Sequence, residues 1–292
     1  MVMPDHASSV RPRRSALYMP ASNPRAIAKA RELACDVVIL DLEDAVAPEQ
    51  KVAARLAAVE AVRAGGFGYR DLVVRANALD TKWGVDDLAA LRECEVEAVL
   101  LPKVSHADTL RTARDAIGEG PALWAMIETA RGVVNLPAIV DAATEVGLTA
   151  LVVGTNDLAK ELRCRPGRDR APLLSVLTQI VLAARMTGLV ALDGVINVLD
   201  DEEAIAAECA QGLEWGFDGK TLIHPAQIAP ANRVFTPAAE DVAWAEKITA
   251  AFAAPEHAVQ GAIRVDGKMV ERLHLDEARR TLALHEAIQA RQ

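Results

Sequence analysis

The segments ALWAMIETARG, residues 122–132, and ALVVGTNDLAKEL, residues 150–162, decide the fold. Each is a short apolar run that turns acidic, at Glu128 and at Asp157, and then meets small or polar residues before a helix-like segment begins. The two acids are 29 residues apart, from 128 to 157, close to the ~30 residues of a parallel strand, a crossover helix and the next strand. They therefore cap neighbouring strands. Adjacent parallel strands lie ~4.8 Å apart, so two carboxylates at equal height repel each other unless they share a cation. The spacing predicts a divalent-metal site, and hard oxygen ligands without His or Cys favour Mg2+ or Mn2+ over zinc.

Outward from that pair the same pattern repeats. ALYMP (16–20), VVILDLED (37–44), DLVVRAN (71–77), AVLLPKV (98–104), LVALDGVIN (189–197) and FDGKTLIH (217–224) read as six more strands, alternating with helical stretches. Their near-continuous Val/Ile/Leu runs mark strands buried on both faces. The reading is an α/β fold, a TIM (β/α)8 barrel over residues 1–235, followed by a helical and extended C-terminal appendage over 236–292. An open doubly wound sheet is the alternative, but it wants a Gly-rich phosphate turn after the first strand, and PASNP has no glycine. Barrel chemistry sits at the carboxyl ends of the strands, where Asp41, Glu43, Asp44, Arg75, Asn77, Lys103, Asn197 and His224 also fall.

Composition limits the partners. The chain has 292 residues, 51% of them hydrophobic and 3% aromatic, and a net charge of −9, which argues against a nucleic-acid surface. Four cysteines without a C-x-x-C fit reduced thiols in a cytoplasmic protein. No apolar run approaches a membrane span, so no membrane partner is expected.

Asp41, Glu43 and Asp44 form an acidic cluster. Two-residue periodicity turns Asp41 and Glu43 toward the barrel interior, where a metal's water shell could neutralise them; a salt bridge to Lys103 or Lys220 is the structural alternative. Arg75 offers a planar fork suited to an enolate or carboxylate, the alternative being an ion pair with Glu43.

The blocks LYMPASNPRAIAKA, VVILDLEDAV, VVRAN, VLLPKV, IETARG, GTNDLAKEL and GFDGKTLIHPAQIAPAN resemble the HpcH/HpaI aldolase superfamily, and within it the citrate lyase β-subunit-like group that includes malyl-CoA and citramalyl-CoA lyases. The resemblance, over about residues 14–285, implies a Mg2+-dependent barrel that cleaves a carbon–carbon bond beside a CoA thioester. It implies Glu128 and Asp157 as metal ligands and Arg75 as the contact to thioester or keto-acid oxygens. Arg14, Arg25 and Lys29 would then meet CoA, unless they are only a solvated face. On this reading the backbone of Gly154, Thr155 and Asn156 holds an α-keto acid's carboxylate. Glu271, where the group commonly has Asp, would exchange the proton at the thioester's α-carbon from a neighbouring subunit. That makes a homo-oligomer, a trimer or hexamer, the expected assembly. Two departures stand out: Ala21 where the group often has Gly, and Leu273 in place of a proline. The expected activity is a carbon–carbon lyase on a 3-hydroxy-3-carboxyacyl-CoA, giving an α-keto acid and an acyl-CoA. The alternatives are a thioesterase or malate-synthase-like enzyme on the same site, or a citrate lyase β subunit working on an acyl-carrier thioester.

Overall fold

The computed structural model describes residues 10–257 and 259–291. It divides into two compact units, Arg13–Phe235 and the residues from Thr236 onward, with which the segment ending at Pro12 is grouped. In the first unit eight parallel strands close on themselves: β1 (Ser15–Pro20), β2 (Val37–Asp41), β3 (Asp71–Arg75), β4 (Ala98–Leu101), β5 (Ala122–Ile127), β6 (Leu148–Val153), β7 (Val190–Asp193) and β8 (Gly219–Leu222). Pairing of Ser15, Ala16 and Leu17 with Lys220, Thr221 and Leu222 seals the ring, which makes the molecule a (β/α)8 barrel and not an open sheet.

The apolar runs explain the closure. Every residue of β2 and β3 is buried, because one strand face meets the outer helices and the other fills the barrel. The inner filling is Ala16, Val37, Ile39, Val73, Leu100, Trp124 and their neighbours. Aliphatic positions alternating with these pack outward against the helices. No helix among the described residues is long and apolar enough to cross a membrane.

A charge cluster joins β7, β8 and the loop before residue 171. Lys220, fully buried, donates to Asp193 at 2.9 Å and to Glu208 at 2.7 Å. Arg170 reaches both Asp193 oxygens, at 2.7 and 2.9 Å, and its guanidinium stacks on Trp215. Burial alone would raise the Asp193 carboxyl, but the two cations outweigh it and hold the group below its usual range. Its stabilising contribution is therefore present above about pH 4 and lost as acid protonates it. Asp193→Asn leaves two buried cations short of counter-charge and should cost ~3–5 kcal/mol, read as a lower denaturation midpoint with an unchanged denaturant slope.

The second unit has its own core. The helix Ala239–Ala253 and the helix Arg272–Gln289 pack with a hairpin, β9 (Ala262–Val265) and β10 (Lys268–Glu271), turned at Asp266 and Gly267, both at positive φ. Ile248, Phe252, Ile263, Val270 and Leu275 fill it. Along the second helix Ile288 is buried, Leu282 packs at the edge of this core and Leu284 is half-buried. Leu273 instead is 59% exposed, since the helix begins at Arg272 and turns Leu275 inward.

Candidate active site

The carboxyl ends of the strands open onto a pocket of about 390 Å³. Glu128 follows β5 directly, and Asp157 lies in the first turn of the helix Thr155–Glu161 that follows β6. Both line the pocket together with Tyr18, Asp41 and Arg75. Glu128 is 4% exposed and accepts the Lys103 backbone N–H at 2.7 Å. Lys103 presents that N–H from a left-handed backbone, φ 53°, a conformation that costs a non-glycine residue energy unless its surroundings hold it. Its ammonium donates to Glu43 at 2.6 Å and stands 4.0 Å from Asp157.

Burial, with the Glu43 charge next in size, pushes the Glu128 carboxyl up to about 7. A buried acid beside other acids lacks positive charge, and a divalent cation would supply it. The glycine before the helix makes room: a methyl group on Gly154 would collide with the Glu128 side chain. Among the described residues no three His, Cys, Asp or Glu side chains converge on one point. Two carboxylates with the remaining positions left to water and substrate are nonetheless the usual protein share at Mg2+. The donor set fits that ion.

The acidic cluster is threaded by two cations, Arg75 and Lys103. Arg75 Nε and Nη2 each donate to one oxygen of Asp41, both at 2.7 Å, while Nη1 lies 3.1 Å from Glu43 and 3.4 Å from Asp44. Asp41, 1% exposed, also accepts the backbone N–H of Glu43 and Ala45. Asp41 and Glu43 thus pair with Arg75 and Lys103, the cations nearest them. Lys220 is committed elsewhere, to Asp193 and Glu208. Asp44 is mostly exposed.

The predicted CoA contacts separate. Arg25 and Lys29 are exposed on the helix Pro24–Ala30 that follows β1, on the carboxyl side of the barrel. Arg14 precedes β1 and pairs with Asp36 through three bonds of 2.8–2.9 Å, next to Arg13 on Asp71 and Glu97. A six-residue strand at ~3.3 Å per residue puts it roughly 20 Å away, at the barrel's amino end. Arg14 is therefore not among the pocket's cations. Glu271 belongs to the second unit, where its side chain caps the helix Arg272–Gln289 in a reciprocal arrangement with His274. His224 accepts the Ala226 N–H and starts the turn after β8, an orienting part.

Three residues matter more than the sequence suggested. Lys103 links Glu43, Glu128 and Asp157. Tyr18 lies with its ring under the Arg75 guanidinium, 4.8 Å from carbon to centroid, and its buried hydroxyl has no hydrogen-bond partner among the described residues. Asn197 exchanges two hydrogen bonds with Asn156, at 2.9 and 3.3 Å. Only inward alternation on β1 could have flagged Tyr18, and nothing local could have paired Asn197 with Asn156.

The family model HpcH/HpaI aldolase/citrate lyase matches residues 14–225, the barrel with its carboxylate pair. The chain belongs to the HpcH/HpaI aldolase/citrate lyase family. Among its relatives, a (3S)-malyl-CoA thioesterase of Cereibacter sphaeroides is 48% identical over 97% of this chain and 98% of that one. The mitochondrial citramalyl-CoA lyase of Homo sapiens is 30% identical over 95% and 86%. A crystal structure of CitE from Mycobacterium tuberculosis, in complex with magnesium, acetoacetate and coenzyme A, superposes with a TM-score of 0.76 at 33% identity, covering 93% of this chain and 97% of that one. As a member of this family the protein is an enzyme.

Proposed function

We propose that the protein acts on a malyl-CoA-type 3-hydroxy-3-carboxyacyl-CoA in a Mg2+-dependent reaction, and that hydrolysis of the thioester is its main outcome. The observation that carries the substrate class is the Glu128/Asp157 pair opening onto the same pocket as the Arg75 fork. Hydrolysis is favoured by the full-length likeness to malyl-CoA thioesterases at 48% identity. Mg2+ is supported by the donor set and by the magnesium in the related CitE complex.

Glu128 and Asp157 would hold the ion, which when bound draws in the substrate's carboxylate and hydroxyl and offsets their charge. The backbone N–H groups of Thr155 and Asn156, at the start of their helix, would meet the acid end, whereas that of Gly154, expected to join them, is spent on Ile127 O at 3.1 Å. Arg75 keeps one Nη2 hydrogen beyond what Asp41 takes, and this would donate to the thioester oxygen as negative charge builds there, while Nη1 stays with Glu43 and Asp44. Asp41, Glu43 and Tyr18 fix the guanidinium in place. Arg25 and Lys29 lie on the carboxyl side, where they can approach the CoA phosphates. Water adding to the thioester carbon then expels CoA thiolate and leaves the hydroxy acid.

Carbon–carbon cleavage is the second reading, favoured by the family's citramalyl-CoA lyases. It differs in one demand: the thioester's α-carbon must take up a proton, the task the family resemblance gives to Glu271, whereas hydrolysis leaves that carbon untouched. Incubation with (3S)-malyl-CoA and Mg2+ in D2O separates the two by mass spectrometry. Hydrolysis yields free CoA and unlabelled malate, and cleavage yields glyoxylate with a deuterated acetyl-CoA. Predominant deuterated acetyl-CoA would replace the first reading by the second, and no turnover of malyl-CoA would overturn both.

A further inference from the structure

Beside the metal pocket lies a wider depression of about 930 Å³, and Thr155, Asn156, Val195 and Asn197 line both. The partition between them is the amide pair. Asn197 Nδ2 donates to Asn156 Oδ1 at 2.9 Å, and Asn156 Nδ2 returns a bond to Asn197 Oδ1 at 3.3 Å. One amide comes from the loop after β7 and the other from the helix after β6, so the pair bridges two neighbouring segments.

The Asn197 side of this bridge is firmly held. Gln227, fully buried, donates its amide to the carbonyls on either side of Asn197, Ile196 at 3.0 Å and Val198 at 2.8 Å. Its own carbonyl accepts the backbone N–H of Ile223 and His224, and Thr155 Oγ1 donates to Val195 O at 3.3 Å. A loop clamped on both sides of one residue presents that side chain at a fixed place. Both amides are exposed to the pockets they separate, so what holds the partition shut is two neutral hydrogen bonds.

We propose that the Asn156–Asn197 pair is a specificity-determining partition that limits the third substituent on the hydroxyl-bearing carbon of the substrate. This rests on the reading of the site given above: with carboxylate and hydroxyl directed at the Glu128/Asp157 pair and the acid end at the start of the β6 helix, that substituent points toward the amide pair. Hydrogen fits in front of it, and an alkyl chain must break it. Two neutral bonds of ordinary strength amount to roughly one to two factors of ten in preference. The space behind the partition also has a definite character. Val195, Val198 and Leu173 supply apolar surface, while Asp169, Asp201 and Glu203 outnumber Arg168, since Arg170 is already spent on Asp193 and Glu208 on Lys220. Opening the partition therefore admits an alkyl substituent and not a carboxymethyl one.

The test compares the parent with Asn197→Ala on malyl-CoA and on its 3-butyl and 3-carboxymethyl homologues, the last being citryl-CoA. Asn197→Ala should keep kcat/KM for malyl-CoA within about threefold, raise it at least about tenfold for the 3-butyl thioester, and leave citryl-CoA unimproved. An unchanged malyl-to-butyl ratio overturns the inference, as does equal gain for citryl-CoA. A binding arm does not depend on turnover. With Mg2+ present, calorimetry compares glyoxylate with 2-oxohexanoate, the keto acids that carry the same two substituents. Asn197→Ala should tighten 2-oxohexanoate about tenfold and leave glyoxylate as it was; affinities that do not move, or no binding of either acid, overturn the partition. A parent inactive on every thioester whose keto-acid binding still shifts in this way would remove the proposed reaction and leave the partition standing.

Discussion

Asp157→Asn and Glu128→Gln are each expected to abolish Mg2+-dependent turnover and to weaken Mg2+ binding by at least ~10², measured by calorimetry on the folded variants. Outer partners of a metal ligand already cost ~10–100-fold when lost, and each of these changes would delete one of the two charged ligands proposed above. The folded state should tolerate both. Asp157 is 36% exposed at its side chain, so an amide there meets solvent. Glu128 is buried, but Gln keeps its shape and can still accept the Lys103 N–H, and the change removes a charge that burial first and the Glu43 carboxylate second disfavour, holding the acid up at about 7. Glu128→Gln should therefore unfold no more easily than the metal-free parent. Unchanged Mg2+ binding in both variants would place the metal elsewhere.

Arg75→Lys is expected to lower turnover by ~10²–10³, the usual cost of one donor to a developing oxyanion, with Mg2+ affinity nearly intact. The charge survives, but one ammonium cannot span both oxygens of Asp41 as Nε and Nη2 do at 2.7 Å. Asp41, 1% exposed, is then left with a poorer partner, so thermal stability should fall as well. Because a structural loss alone lowers the melting temperature without touching kcat of the folded fraction, the two measurements together decide the role. Near-normal kcat in Arg75→Lys would make the arginine a strut for Asp41 and nothing more.

Much of the architecture could be read from one dimension because the strands are buried on both faces. VVILD and DLVVR have no solvent side to interrupt them, and such runs recur eight times with helix-length spacing. The carboxylate pair was legible only in part: one strand–helix unit of spacing brings Glu128 and Asp157 to one pocket, but the residue level with Glu128 is Gly154, and Asp157 lies three residues on, in the first turn of the next helix. What escaped was whatever depends on which end of an element a residue occupies or on who stands across from it. Arg14 and Ala21 flank the same strand, yet they face opposite ends of the barrel. Lys103 looked like one polar residue among many at a strand end, since nothing in PKV announces a left-handed backbone that aims its N–H at Glu128. Leu273 and Leu275 differ by two positions on a helix whose start fixes which of them faces inward.

The side chains around the pocket form a run of alternating sign: Asp41, Arg75, Glu43, Lys103, and then Glu128 with Asp157. It begins at β2 and ends at the helix after β6, so it crosses the pocket without passing through the barrel's apolar filling. No member has an energy of its own, because removing any one leaves its two neighbours facing each other or facing nothing. Effects of paired substitutions along the run should not add, and a variant at the Asp41 end will report on the acids at the other. A dication held by Glu128 and Asp157 would offset their pull on the Lys103 ammonium, whose hold on Glu43 would tighten in turn. Occupancy at one edge of the site would thereby be felt at the guanidinium on the other.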